Sequence, residues 1–123
     1  MKVLLSIKPE YAFKIFEGTK KFEFRKVIFK NQNIKTVVVY ASSPVQKVIG
    51  EFEIEGIVSL TPELLWAETR KESGISEKFF YEYFENREIA HAIRIKTTKK
   101  YNEPLGLKEN FNVAPPQSYL YLT

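Results

Sequence analysis

The sequence predicts an α+β fold: a small, mostly antiparallel β-barrel or bent sheet with flanking helices. Three observations predict it. The chain has 123 residues, 44% apolar and 15% aromatic, enough for one domain with its own core. The apolar pattern gives the order β-α-β-β-β-α-α-β-β, without the regular alternation that a doubly wound parallel sheet requires. Two glycines fall inside a long strand-like stretch, where a small barrel needs its corners.

Val3–Ile7 is a short apolar run and reads as the first strand. Pro9 suits the first turn of a helix, having no N–H to lose there. Ala12, Ile15 and Phe16 give that helix one apolar stripe, and Gly18 is placed to end it. Phe22-Glu23-Phe24-Arg25 alternates as a second strand. After a polar turn over Lys30–Lys35, Thr36–Ala41 is β-branched and reads as a buried strand closed by Ser42-Ser43-Pro44. Val45–Leu60 is strand-like again: Glu51, Glu53 and Glu55 alternate with Phe52 and Ile54, and Gly50 and Gly56 mark bends.

Thr61-Pro62-Glu63 starts a helix with a capping hydroxyl, a proline at the first position and an acid in the first turn. Leu64, Leu65 and Ala67 supply its apolar side, and Gly74 ends the segment. Ser76 caps a further helix with Phe80, Tyr83 and Phe84 as its stripe. His91–Lys96 alternates as a strand, Pro104–Asn112 reads as a loop with one helical turn, and Tyr119–Leu122 is the last strand. Residues 1–123 form a single domain, with no internal repeat or linker.

Composition restricts the chemistry. The chain has no Cys and one His, His91, and all 15 of its acids are Glu. Disulfides, thiol catalysis, a Ser-His-Asp triad and a multi-histidine metal site are excluded, so no metal or cofactor is expected. The N-terminus is too short in apolar residues for a signal peptide, and no run approaches the ~20 needed to cross a membrane. A cytoplasmic protein is expected. Charge is segregated: residues 1–50 hold 10 bases and 3 acids, residues 51–90 hold 4 and 10, and residues 91–123 hold 5 and 2. If the basic ends meet, they make a face for a polyanion, although a solvated lysine-rich surface explains the same counts.

The most informative segment is Gly18–Arg25. In an ideal strand Lys21, Glu23 and Arg25 share one face and Phe22 and Phe24 the other. Lys20 lies in the preceding turn and can reach the Glu23 side. An ordinary surface ion pair is the plain alternative. Gly18-x-Lys20-x-x-Glu23-x-Arg25 resembles the signature of ASCH domains, of the PUA-like superfamily. Leu5–Ala12, Val39–Pro44 followed by Ile49–Phe52, and Pro116–Leu122 resemble further blocks of those domains in the same order. The nearest group is the stand-alone ASCH type described as predicted transcriptional regulators.

The resemblance implies a PUA-like barrel with a cleft for RNA or a nucleotide-like ligand, with DNA as the alternative polyanion. It brings Lys20, Glu23 and Arg25 to that cleft, bordered by Lys8, Ser42, Ser43, Gln117 and Ser118. Lys20 and Lys8 would neutralise phosphate or polarise a carbonyl, Glu23 would accept hydrogen bonds, and Arg25 would orient Glu23 or grip phosphate. The serines and Gln117 would add neutral hydrogen bonds. Some relatives resemble an amidohydrolase of acetylated cytidine, built on a Lys, a Thr and a Glu. Lys20 matches the Lys, but Glu23 stands where that group has its Thr. Others are described as ribonucleases. The alternative to a binding module is thus a small metal-free hydrolase of RNA or an N-acylated nucleoside, using Lys20 and Glu23. A third reading is a protein-interaction module through the acidic helical region 63–88. His91 and the aromatic cluster Phe79–Phe84 read mainly as packing.

Overall fold

The structure, a computed structural model, describes all residues 1–123. The elements are β1 (Lys2–Ile7), α1 (Pro9–Glu17), β2 (Phe22–Arg25), β3 (Thr36–Ala41), β4 (Lys47–Leu60), α2 (Pro62–Thr69), α3 (Glu77–Tyr83), β5 (Ala90–Leu105), α4 (Leu107–Phe111) and β6 (Leu120–Leu122). A 3-10 turn, Arg70–Glu72, follows α2. No helix is long and apolar enough to cross a membrane.

One six-stranded sheet has the order β2-β5-β4-β3-β1-β6. Every pair is antiparallel except β1–β3. The expected α+β class and antiparallel bias hold, but the expected barrel does not close: β2 and β6 are the two ends of the strand order. The physical reason lies in β2. It has four residues, pairs only with β5, and reaches the far strands through a side chain rather than a backbone ladder.

Alternation in β1 and β3 divides the core. Val3, Leu5, Ile7, Val37 and Val39 pack with Ala12 and Ile15 of α1, whereas Leu4, Val38 and Tyr40 point the other way, toward Leu107 of α4. A third cluster joins Phe22 and Phe24 of β2 to Leu65, Phe80 and Phe84 of the α2–α3 region. β4 and β5 run side by side with register shifts at Val48/Gly50 and Ile54/Gly56, the bends expected from the two glycines. At Gly50 a Cβ would lie 2.6 Å from the Lys99 carbonyl and 2.7 Å from the Phe16 ring, so the close crossing requires glycine.

β5 continues to Leu105 instead of ending at Lys96. Lys96–Lys100 is exposed along its length, so burial left no alternation in the sequence there; pairing with β4 keeps the backbone extended. The helix starts follow the capping signals: Thr61 and Ser76 each accept a hydrogen bond from the N–H three residues on. Gly18 ends α1 in the left-handed conformation, at φ 90°.

Candidate functional site

Gly18 turns the chain sharply, so that the N–H groups of Thr19 and Lys20 both return to the Lys14 carbonyl. That reversal drives Lys20 inward. Its side chain is only 1% exposed, among the largest fully buried side chains of the molecule. Its ammonium donates to the Ser73 carbonyl at 2.7 Å and lies 4.7 Å from the centre of the Phe24 ring and 5.3 Å from that of Tyr11.

The loop after the 3-10 turn holds it there. Three successive carbonyls receive hydrogen bonds from one segment: Glu72 from the Lys21 N–H, Ser73 from Lys20 Nζ, and Gly74 from Lys14 Nζ. Ser73 is buried, and its hydroxyl lies within hydrogen-bond distance of the Arg70 and Ile75 carbonyls, donating its one proton to either, which fixes the loop from inside. Burial lowers the Lys20 pKa from 10.5 to about 8; Glu23 works against the shift and Lys14 adds to it.

Gly74 has φ +70°, and a Cβ there would lie 2.6 Å from Lys20 Cβ and Cγ. Gly74→Ala is therefore expected to cost about 1–3 kcal/mol of stability, through backbone strain and displacement of the lysine stem. Urea unfolding measures it; a loss under ~0.5 kcal/mol would show that the loop yields freely.

Beside Lys20, the Glu23 carboxylate pairs with Arg25 at 3.2 Å, with side-chain exposures of 7% and 11%. Arg25 Nη1 also donates to the Ser6 carbonyl at 3.2 Å and Nη2 to the Ser118 carbonyl at 2.6 Å. One guanidinium thus ties edge strand β2 to β1 and to the approach of β6. Where this bridge spans the open side of the sheet lies a cavity of about 300 Å³. Lys8, Lys20, Glu23 and Arg25 bring charge to its wall; Tyr11, Phe24, Phe79 and Tyr83 bring aromatic rings. Two wider surface hollows, of about 610 and 640 Å³, contain no buried charged side chain.

The cavity unites five of the predicted site residues: Lys8, Lys20, Glu23, Arg25 and Gln117. Ser118 meets it through its carbonyl on Arg25, while its hydroxyl is buried without a hydrogen-bond partner. Ser42 and Ser43 do not line it. They occupy the turn after β3, where the Ser42 N–H donates to the carbonyl of Ile7, a residue that does line it. His91 is half-buried and shares a hydrogen bond with Ser59 at 2.7 Å, with its pKa lowered by burial.

The cluster Phe79–Phe84, which the sequence assigns mainly to packing, also supplies two rings of the cavity wall. Phe80 and Phe84 face the core, whereas Phe79 and Tyr83, also four residues apart, face the cavity. Reading Phe80, Tyr83 and Phe84 as one stripe merged these two faces. The available signal was two overlapping i, i+4 aromatic pairs on one short helix.

Residues 5–99 match the ASCH domain family model. The chain is 32% identical over 98% of its length to the ASCH domain-containing ribonuclease of Zymomonas mobilis, covering 84% of that protein. It is also 32% identical over 98% of its length to the large ribosomal subunit protein uL22 of Ureaplasma parvum, but spans only 39% of that longer relative. The crystal structure of ASCH from Zymomonas mobilis superposes with a TM-score of 0.91 at 33% identity, covering 99% of this chain and 87% of that one.

Proposed function

This chain belongs to the ASCH domain family, and on that premise we propose that it binds single-stranded RNA with one nucleotide held in the cavity at Lys20. One observation carries the reading: a buried ammonium and a buried carboxylate paired with a half-buried guanidinium open into an aromatic-walled cavity of about 300 Å³. That volume is the lower limit for ligand sites, roughly 300–1,000 Å³, and suits one nucleotide rather than a helix. Lys20 meets a phosphate or a base carbonyl, Glu23 accepts from an exocyclic amine or a ribose hydroxyl, and Arg25 holds Glu23 in place. The relative named as a ribonuclease supports RNA as the ligand class. In this reading the protein works in the cytoplasm. Regulation of transcription is a finer role that the same site would serve through RNA or DNA.

The lowered Lys20 pKa favours a second reading, RNA cleavage. At pH 7 a group with a pKa of about 8 is neutral in roughly one molecule in ten. The neutral amine would take the proton of a ribose 2′-hydroxyl, whose oxygen attacks the adjacent phosphorus. The bond to the 5′-oxygen breaks, that oxygen takes a proton from water, and the hydroxide so formed takes the proton back from the Lys20 ammonium, leaving a 2′,3′-cyclic phosphate, a 5′-hydroxyl end and the neutral amine. The protein-interaction reading of region 63–88 is less favoured, because Leu65, Phe80 and Phe84 are already buried in the core.

Purified protein titrated with a fluorescent single-stranded RNA, in the presence of a chelator, tests the proposal. Binding should weaken at least tenfold in Lys20→Ala, whereas duplex DNA should bind weakly. Absence of RNA binding, or equal binding by the variant, would overturn it. Cyclic-phosphate products that vanish in Lys20→Ala would establish cleavage; bound RNA recovered intact would reject it. N-acetylated cytidine in parallel tests the nucleoside alternative by release of acetate.

A further inference from the structure

Two cations without an acidic partner sit on aromatic rings of the cavity: Lys8, which lines it, and Lys26, which does not but covers a ring that does. Lys8, in the turn between β1 and α1, places its ammonium 5.2 Å from the centre of the Phe79 ring. Lys26, the residue after β2, places its own 4.8 Å from the centre of the Tyr83 ring. Phe79 and Tyr83 are one turn apart on α3, their ring centres 6.2 Å apart and their planes within 12°. Tyr83 is also anchored to the same strand end, its hydroxyl accepting the Lys26 N–H at 3.3 Å. Two lysines from separate parts of the sequence are therefore seated on neighbouring rings of one helix.

Neither lysine has a carboxylate within ion-pair distance, although the chain carries 15 glutamates and Glu77 and Glu82 lie on α3 itself. Both are exposed. An aromatic face holds an ammonium without neutralising it, so each charge stays open to an anion from solvent. The cavity itself has room for one nucleotide, and the phosphates joining that unit to its neighbours must then lie outside, at the mouth.

We propose that Lys8 and Lys26, carried by Phe79 and Tyr83, bind the backbone phosphates on the two sides of the nucleotide in the cavity. The ligand is then an internal unit of a single strand, not a free nucleoside. This inference rests on the RNA-binding reading and adds the strand specificity. Lys26 is assigned here on geometry alone, since nothing in its sequence context sets it apart from other lysines.

The test is the salt dependence of binding to fluorescent hexauridylate, with uridine as competitor. Each phosphate contact contributes about 0.7 to the slope of log affinity against log salt for a single strand. Lys8→Ala and Lys26→Ala should each flatten the slope by about 0.7, and the double variant should lose at least tenfold in affinity at low salt. Competition by uridine should be unchanged in Lys26→Ala, and Lys30→Ala, on the rim of another hollow, should leave the slope as in the native chain. An unchanged slope in the double variant, an equal change in Lys30→Ala, or an equal loss of uridine binding in Lys26→Ala would overturn the inference while leaving RNA binding intact. No hexauridylate binding by the native chain would overturn both.

Discussion

Lys20→Met is expected to abolish RNA binding at pH 7 while making the fold about 1–3 kcal/mol more stable. The two effects have one origin. Lys20 is 1% exposed as a residue, and its ammonium is held by a single carbonyl and two aromatic rings, which do not replace the water it loses. Methionine fills a similar volume without that cost, but it cannot donate a hydrogen bond to the ligand. Urea unfolding and RNA titration of the same preparation measure both. A variant that binds RNA normally would remove Lys20 from the site; one destabilised by more than ~1 kcal/mol would mean that its hydrogen bond to Ser73 outweighs desolvation.

The pH dependence follows from the same shift. Below about 8 the folded and unfolded chains both carry the Lys20 proton, and the folded state bears the full cost of a buried charge. Between about 8 and 10.5 the unfolded chain holds more protons, so stability rises with pH by up to ~3 kcal/mol across that window. Lys20→Met should lack this rise. Function separates by sign: binding that uses the Lys20 ammonium as donor should weaken above pH 8, whereas cleavage by the neutral amine should rise toward it.

Arg25→Ala is expected to cost about 3 kcal/mol, the largest loss of any single site substitution. It removes the guanidinium from the carbonyls of Ser6 and Ser118 and leaves the Glu23 carboxylate buried without its cation. Because β2 is a four-residue edge strand, nothing else ties it to β1, and the cavity should open. Arg25→Lys should recover part of the loss, since one ammonium cannot make the forked contact. Glu23→Gln added to Arg25→Ala should also recover stability by removing the orphaned charge. A loss under ~1 kcal/mol in urea unfolding of Arg25→Ala, or no recovery in the double variant, would contradict this account.

Local signals in the sequence reached far into the fold. Gly18, Thr61 and Ser76 act where their chemistry predicted, and Gly50 and Gly56 mark bends in β4. The extension of β5 past Lys96 was hidden, because an exposed strand carries no burial pattern and is held by its partner. Closure of the sheet was misjudged for a related reason: Arg25 as a clasp is a tertiary fact with no periodicity. In the site, the spacing of Lys20, Glu23 and Arg25 was legible because one turn and one short strand fix all three. The placement of Ser42 and Ser43, off the cavity wall but bonded to Ile7 on it, depends on how their turn packs. Lys14 and the 72–74 carbonyls, which hold Lys20, lie 58 or more residues apart in sequence and meet only in the folded chain.

The central claim is that the cavity beside Lys20 receives the RNA. A crystal structure of the protein with a short single-stranded RNA tests it most directly. The account predicts one base among Tyr11, Phe24 and Phe79, with Lys20 Nζ within hydrogen-bond distance of the ligand and phosphates at Lys8 and Lys26. RNA lying instead along the exposed Lys96–Lys100 stretch of β5, with the cavity empty, would contradict it.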